Sequence, residues 1–321
     1  MVRKILMNAG EKDLSLKQAF DLFIKIKTID NLSSETISYY HRCYKPLSEY
    51  FGEENLCANI NEDTFYGVVE HIQTTRKVSP ITVNTYIRGL RTIFNFLIDR
   101  KHIEPFKMRL IKCEKPIKET YTESDIEKLI RKPNTSDCTF AEYRNWVTVC
   151  HLLGTGNRLN TIINLKIGDV DVNSMEIKLK TVKNKKPYII PMSTALKKVY
   201  VEYFRYRGGE SDDYMFCTSY GGQMSRDSMI SAVQKFNRSR GVEKTSIHLF
   251  RHTFAKNWVM NGGDIFRLQK ILGHSSLEMV KEYVSMFGMD IKENFDSFNA
   301  LDKHSLNTNT NKLSMNSKKL R

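Results

Sequence analysis

His248 and Arg251 stand three apart in the run His248-Leu249-Phe250-Arg251-His252, so on a helix they share one face and can address one ligand. Arg158 comes earlier, after Gly154-Thr155-Gly156-Asn157 at the end of an apolar stretch. His274 follows in Leu272-Gly273-His274-Ser275-Ser276, and Tyr283 lies a short way beyond it. Between Lys178 and Lys186 the chain also places Lys178, Lys180, Lys183, Lys185 and Lys186 with no acid among them. In order, the chain offers Arg, Lys, His-x-x-Arg, His and Tyr.

Two guanidiniums and an imidazole converging on one point repel one another unless an anion sits there. The planar fork of arginine pairs with phosphate oxygens through parallel hydrogen bonds, which suits the charge that builds on a pentacoordinate phosphorus. A tyrosine beside such a site can be a nucleophile. Each part alone has an ordinary explanation. A lysine-rich hairpin guards a sheet edge against pairing, and a single His or Tyr on a helix is usually core or surface.

The elements that would hold these groups are mostly helical. Residues 1–112 read as a small helical domain with apolar residues at helical spacing over 14–28, 33–51, 61–76 and 80–101. In the second segment Ile37, Tyr40, Tyr44, Leu47 and Phe51 form the stripe, and Pro46 should bend that helix or end it early. In the fourth, Val83, Ile87, Leu90, Phe94 and Leu97 form the buried stripe, and Ser79-Pro80 is a start signal. Thr85, Arg88, Thr92 and Asn95 fall on a different face, with Arg42 and Lys45 off the stripe of the second helix. By itself such a face is solvated surface. Uncharged hydrogen-bonding residues mixed with Arg also suit a helix facing a DNA groove, where phosphates and base edges are contacted together.

Residues 113–120 read as a linker containing Pro116. From Tyr121 a second domain, 121–302, opens on Thr122-Glu123-Ser124-Asp125, a helix-start composition. Helices are expected at 141–154 and 160–166. A strand at 175–179 pairs as a hairpin with 188–190. Further helices are expected at 193–206, 225–240, 247–261, 264–272 and 276–284. The fold class is therefore mainly α with a small β-hairpin or sheet.

The ordered set resembles the tyrosine recombinase (phage integrase) family, whose signature is an Arg, a hairpin Lys, H-x-x-R, a His or Trp, and a Tyr nucleophile. His248-Leu249-Phe250-Arg251-His252-Thr253-Phe254-Ala255, with Leu272-Gly273-His274-Ser275-Ser276 and Tyr283, carries the resemblance most strongly. Leu32-Ser33, Thr36, Tyr40 and Leu47, together with Val78-Ser79 and Thr82 to Phe96, look like the helical core-binding domain of Xer-type members. The resemblance spans about residues 15–295. It implies a helical core-binding domain followed by an α+β tyrosine recombinase catalytic domain. Lys183 is matched to the family's catalytic lysine by counting back from Pro191 after Ile189-Ile190, although Lys185 and Lys186 stand close by.

The implied function is a site-specific DNA recombinase that cuts and rejoins DNA for integration, excision or resolution, with no cofactor. Tyr283 would attack a scissile phosphate to form a 3′-phosphotyrosine bond. Arg158 and Arg251 would clamp its non-bridging oxygens, with His274 hydrogen-bonded to it. Lys183 would protonate the leaving 5′-oxygen, and His248 would help remove the tyrosine proton. The implied partners are double-stranded DNA and a homo-tetramer, or a hetero-tetramer with a related recombinase, acting on two sites. Two alternatives stay open: type IB topoisomerase-like activity, and a catalytically idle sequence-specific DNA-binding protein. Thr161 stands where the family usually has a carboxylate three residues after the first arginine. That should alter the positioning of Arg158, with Asp169 as the carboxylate that could compensate.

Composition agrees with a polyanion partner and narrows the classes. Fifty Lys and Arg against 36 Asp and Glu in 321 residues leave a net charge of +14. The chain has no P-loop and no complete dinucleotide-binding glycine pattern. Six well-separated cysteines, with no C-x-x-C pair, read as reduced thiols in a cytoplasm. The first residues reach Glu11 and Lys12 too soon for a signal peptide, and no stretch approaches the ~20 apolar residues of a membrane span. After Tyr283, Ile291, Phe295, Phe298 and Leu301 suit a short amphipathic helix, packed on its own subunit or docked on a neighbour. Residues 303–321 read as a disordered basic tail.

Overall fold

The computed structural model describes residues 14–114, 119–180, 187–274 and 276–287 and divides into two compact units, Met1–Pro116 and Ile117–Arg321. The first unit holds four helices, α1 (Leu16–Ile29), α2 (Ser34–Phe51), α3 (Glu62–Arg76) and α4 (Pro80–Asp99). Each starts on a small polar cap: the side chains of Ser15, Ser33, Asn61 and Ser79 accept a backbone N–H from the first turn. Leu47, Phe65, Val68, Ile87, Leu90 and Phe94 are buried together, and the Phe20 and Tyr44 rings stack 3.8 Å apart. A Cβ on Gly89 would lie 2.3 Å from the Cys43 sulfur, so glycine is what lets α4 approach α2 this closely.

Of the two effects expected of Pro46, an early end to α2 is not found. The helix runs on to Phe51. A proline inside a helix costs about 3 kcal/mol, and burial of Cys43, Tyr44 and Leu47 around it offsets that, at roughly 1.5–3 kcal/mol for each large side chain.

The second unit contains α5 (Glu123–Ile130), α6 (Phe140–Thr155), α7 (Leu159–Ile163), β1 (Val170–Asp171), β2 (Glu176–Leu179), β3 (Tyr188–Pro191), α8 (Thr194–Arg207), α9 (Arg226–Ser239), α10 (Ile247–Met260), α11 (Ile265–Leu272) and α12 (Glu278–Phe287). The strands form an antiparallel sheet in the order β1-β2-β3. Its register puts Ile177 beside Ile190 and Leu179 beside Tyr188, and Ile177, Leu179 and Ile190 point into the core. β1 was not expected, because two residues are too short to carry an alternating pattern. Helix α6 is the central element and packs against α8, α9 and α10. It is buried nearly all round, through Tyr143, Trp146, Val147, Val149 and Leu152. A smaller cluster of Ala255, Val259, Leu268, Leu272, Val280 and Tyr283 joins α10, α11 and α12.

Among the described residues, no helix is long and apolar enough to cross a membrane, and no group of three His, Cys, Asp or Glu could hold a metal ion. All six cysteines are free thiols. Lys183, the segment 291–301 and the tail 303–321 lie outside the described residues.

Candidate active site

Arg158 owes its position to the end of α6. Gly156 closes that helix in the left-handed region at φ +61°, with its N–H on the Leu152 carbonyl, a conformation costly for any residue with a Cβ. Space makes the same demand, since a Cβ there would lie 2.8 Å from both Leu272 Cδ2 and Phe254 Cδ1. Arg158 then starts α7, its carbonyl accepting from the Thr161 and Ile162 N–H groups. Its Nη1 donates to the carbonyl oxygens of Leu272 at 3.2 Å and Gly273 at 3.4 Å.

A buried polar triad supports this turn from below. Asn157 Nδ2 donates to His151 Nε2 at 3.1 Å, which leaves the ring proton on Nδ1, facing the Tyr200 hydroxyl. Burial alone pushes the His151 pKa down to about 3, so the ring is neutral at physiological pH. The residue next to Arg158 is thereby anchored to the middle of the central helix.

The second guanidinium is buried. Arg251, on α10, is 6% exposed. Its Nη1 donates to the Gly156 carbonyl at 2.8 Å and its Nη2 to the Leu272 carbonyl at 2.7 Å. Nη2 also lies 2.5 Å from His274 Nε2. Burial, reinforced by the positive charge of Arg158, lowers its pKa to about 10, and it stays charged at neutral pH. Helix α11 ends at Gly273, left-handed at φ +60°, where a Cβ would sit 2.6 Å from the Tyr188 hydroxyl. The carbonyls at that helix end carry partial negative charge. They hold two like-charged guanidiniums side by side, which their mutual repulsion alone would not permit.

His248 lies on the open side of α10, exposed. Partial loss of water around its ring, then the charges of Arg226, Arg251 and Arg158, hold it below the usual histidine value. Tyr283, on α12, is 3% exposed, and its hydroxyl lies 2.8 Å from Nδ1 of His252. Burial raises its pKa, as does Glu282, while Arg251 and Arg158 pull it down. The two guanidiniums favour the phenolate form and work against the cost of burial.

Arg158, Arg251 and His274 therefore meet through shared bonds, with Tyr283 and His248 within electrostatic reach of both arginines. Asp169 does not serve as a brace for Arg158. Its buried carboxylate accepts from the Lys166 N–H and pairs with Lys180 Nζ at 2.6 Å, and the arginine rests on backbone carbonyls instead. In the first unit, Arg42, Lys45, Thr85, Arg88 and Asn95 are exposed and Thr92 is half-buried. The Thr85 and Thr92 hydroxyls donate to the Ile81 and Arg88 carbonyls, so each offers an outside ligand mainly its lone pairs. Sequence reasoning assigned no role to His252 or Arg226. His252 was findable as the residue four after His248, on the same helix face.

The chain is similar to known proteins over most of its length. A family profile described as "Phage integrase family" matches residues 119–287, just over half of the chain. The chain is 26% identical over 280 residues to the tyrosine recombinase XerD of Listeria innocua, covering 83% of this chain and 93% of that protein. Among solved structures it is similar to the Tn1549 transposon integrase in complex with a circular-intermediate DNA, with TM-score 0.69, 18% identity, and coverage of 84% of this chain and 95% of that one. It is also similar to the lambda integrase tetramer bound to a Holliday junction, with TM-score 0.67, 17% identity, and coverage of 87% and 80%.

Proposed function

This chain belongs to the phage integrase family, and from that membership we propose that it is a site-specific DNA recombinase that breaks and rejoins strands through Tyr283. The observation that carries the proposal is the convergence of Arg158, Arg251 and His274 at the end of α11, with the Tyr283 hydroxyl in the field of both arginines. That set binds a phosphodiester and supplies an oxygen nucleophile from one chain.

In the cleavage step the two guanidiniums take the non-bridging oxygens and His274 hydrogen-bonds the phosphate. The Tyr283 oxygen forms a bond to phosphorus as the bond to the 5′-oxygen breaks, and Lys183 protonates that leaving oxygen. A 5′-hydroxyl from the partner strand reverses the step. The phosphotyrosine link retains the bond energy, so no external energy source is needed. The exposed face of Thr85, Arg88 and Asn95, with Arg42 and Lys45, contacts duplex DNA, and recombination brings four protomers onto two sites. An apolar groove of about 730 Å³ between α5, α6, α8 and α10 is lined by Ile126, Trp146, Leu153, Val199 and Trp258; it could take an apolar segment of this chain or of a neighbour.

The test uses nicked duplexes carrying a site selected from randomised DNA by binding to the full chain. A covalent protein–DNA adduct on a denaturing gel, lost in Tyr283→Phe, is expected. Exchange between two labelled duplexes separates a recombinase from a topoisomerase, and no adduct on the selected site would mean an idle DNA-binding protein.

A further inference from the structure

Helix α11 ends in a turn whose carbonyls are met by side chains from three other elements. The last four carbonyls of a helix have no partner within it. Here the Gln269 and Lys270 carbonyls accept from the His274 and Gly273 N–H groups. The next three are met from outside: Ile271 by the Tyr188 hydroxyl at 3.3 Å, Leu272 by Arg158 and Arg251, and Gly273 by Arg158. We propose that Tyr188 is a positioning residue for the arginine clamp, its hydroxyl and ring fixing the end of α11 on which both guanidiniums rest. The proposal rests on the reading that this clamp holds the scissile phosphate.

Three observations support it. First, Tyr188 is itself firmly seated. It opens β3 opposite Leu179 and lies on the same strand face as Ile190, so these two buried residues set its ring against the domain core and its phenol end reaches α11. Second, the turn is shaped to receive it. A Cβ at Gly273 would fall 2.6 Å from the Tyr188 hydroxyl oxygen and 3.0 Å from its Cζ. The phenol therefore lies directly on the glycine backbone, in the place where any other residue would carry its side chain. Third, the phenol is a donor there. Burial holds its pKa above the ordinary tyrosine value, against the pull of Arg251 and Arg158, and it stays protonated at neutral pH. It thus holds a carbonyl without putting a negative charge beside the clamp to compete with a phosphate.

Leu272, whose carbonyl the two guanidiniums share, directly follows Ile271, whose carbonyl Tyr188 holds. Without the hydroxyl the turn can shift by a fraction of an ångström, and both guanidinium forks move with it. The phosphate is then held off line for attack, and displacement at phosphorus is far more sensitive to such misplacement than binding is. Duplex affinity, spread over many backbone phosphates, should scarcely register the change.

The test measures adduct formation per bound duplex on the selected nicked site, with full-length protein and beside a binding isotherm. Tyr188→Phe keeps the ring and removes the hydroxyl. It should cleave about 5- to 10-fold more slowly, the scale of one hydrogen bond, with duplex affinity unchanged. In an Arg158→Lys background the same substitution should cost about 2-fold or less, since a clamp already disturbed has less to lose. Tyr188 also follows Lys183 along the chain, so a 5′-thio leaving group, which needs no acid, is the control, and the loss in Tyr188→Phe should persist on it. Cleavage by Tyr188→Phe at the wild-type rate would overturn the proposal, as would a loss confined to duplex affinity or fully multiplicative losses with Arg158→Lys. Restoration by the 5′-thio substrate would overturn it too, because Tyr188 would then serve the leaving-group acid rather than the clamp. Tyr283→Phe is run beside them: an adduct in that variant, or none in the wild type, is a failure of the recombinase reading itself, distinct from any result at Tyr188.

Discussion

Arg158 and Arg251 share one acceptor, the carbonyl oxygen of Leu272, at 3.2 and 2.7 Å. Two guanidiniums on a single carbonyl at a helix end are poised for an anion: a bound phosphate offers each a full pair of charged acceptors in place of half a peptide dipole. The clamp is thus assembled before DNA arrives, which spares the reaction the reorganisation that a disordered site would need.

Arg251→Lys should separate charge from geometry. The ammonium keeps the charge but cannot reach the Gly156 and Leu272 carbonyls and a phosphate through one planar fork. Cleavage of the selected duplex should fall by about 10²–10³ with duplex binding little changed, measured as single-turnover adduct formation beside a binding isotherm.

Gly156→Ala should unfold more easily and cleave more slowly together. The added Cβ meets φ +61° and two contacts at 2.8 Å, and the left-handed conformation alone costs about 1–2 kcal/mol. Thermal unfolding and adduct formation measured on one preparation check both effects. A variant with unchanged Tm would contradict the account of the turn.

The neutral, buried His151 sets a pH dependence. Its folded pKa of about 3 lies below the unfolded value of ~6.5, so the unfolded chain binds the proton more readily. Its contribution is fully present above pH 6.5 and is lost as pH falls toward 3, with a slope of up to ~1.4 kcal/mol per pH unit. Urea unfolding at pH 7, 5.5 and 4.5 should show this slope in the wild type and a shallower one in His151→Gln.

Salt should distinguish the two uses of positive charge. Duplex affinity should fall linearly with log salt, and Arg88→Ala should weaken binding evenly across sequences while reducing that slope by ~1. Asn95→Ala should change sequence preference instead. Cleavage rates of preassembled complexes should respond much less to salt than binding does, because Arg251 is buried.

Lys183→Ala should slow cleavage strongly with an ordinary 5′-oxygen leaving group and far less with a 5′-thio one, whose lower basicity removes the need for an acid. Equal slowing on the two substrates would assign the lysine another role.

The helices were legible because their apolar stripes are local: Val83, Ile87, Leu90, Phe94 and Leu97 repeat at helical spacing whatever else the chain does. The family was legible through the resemblance of Arg158, the hairpin lysines, His248, Arg251, His274 and Tyr283, in that order, to the tyrosine recombinase signature. Pro46 does not end its helix because its local cost is offset by packing that no local pattern records. β1 was missed because two residues have no period.

By itself, then, the sequence determined the helical architecture, the cationic set and its order along the chain. Only the tertiary structure decided that Arg158 and Arg251 meet on the Leu272 carbonyl, that Asp169 pairs with Lys180 rather than with Arg158, and that Tyr283 rests on His252. The first and third of these arise from packing between elements distant in the chain, and the second from the pairing of β1 with β2; in the first the acceptor is a backbone carbonyl, which every residue carries and no side-chain pattern reveals.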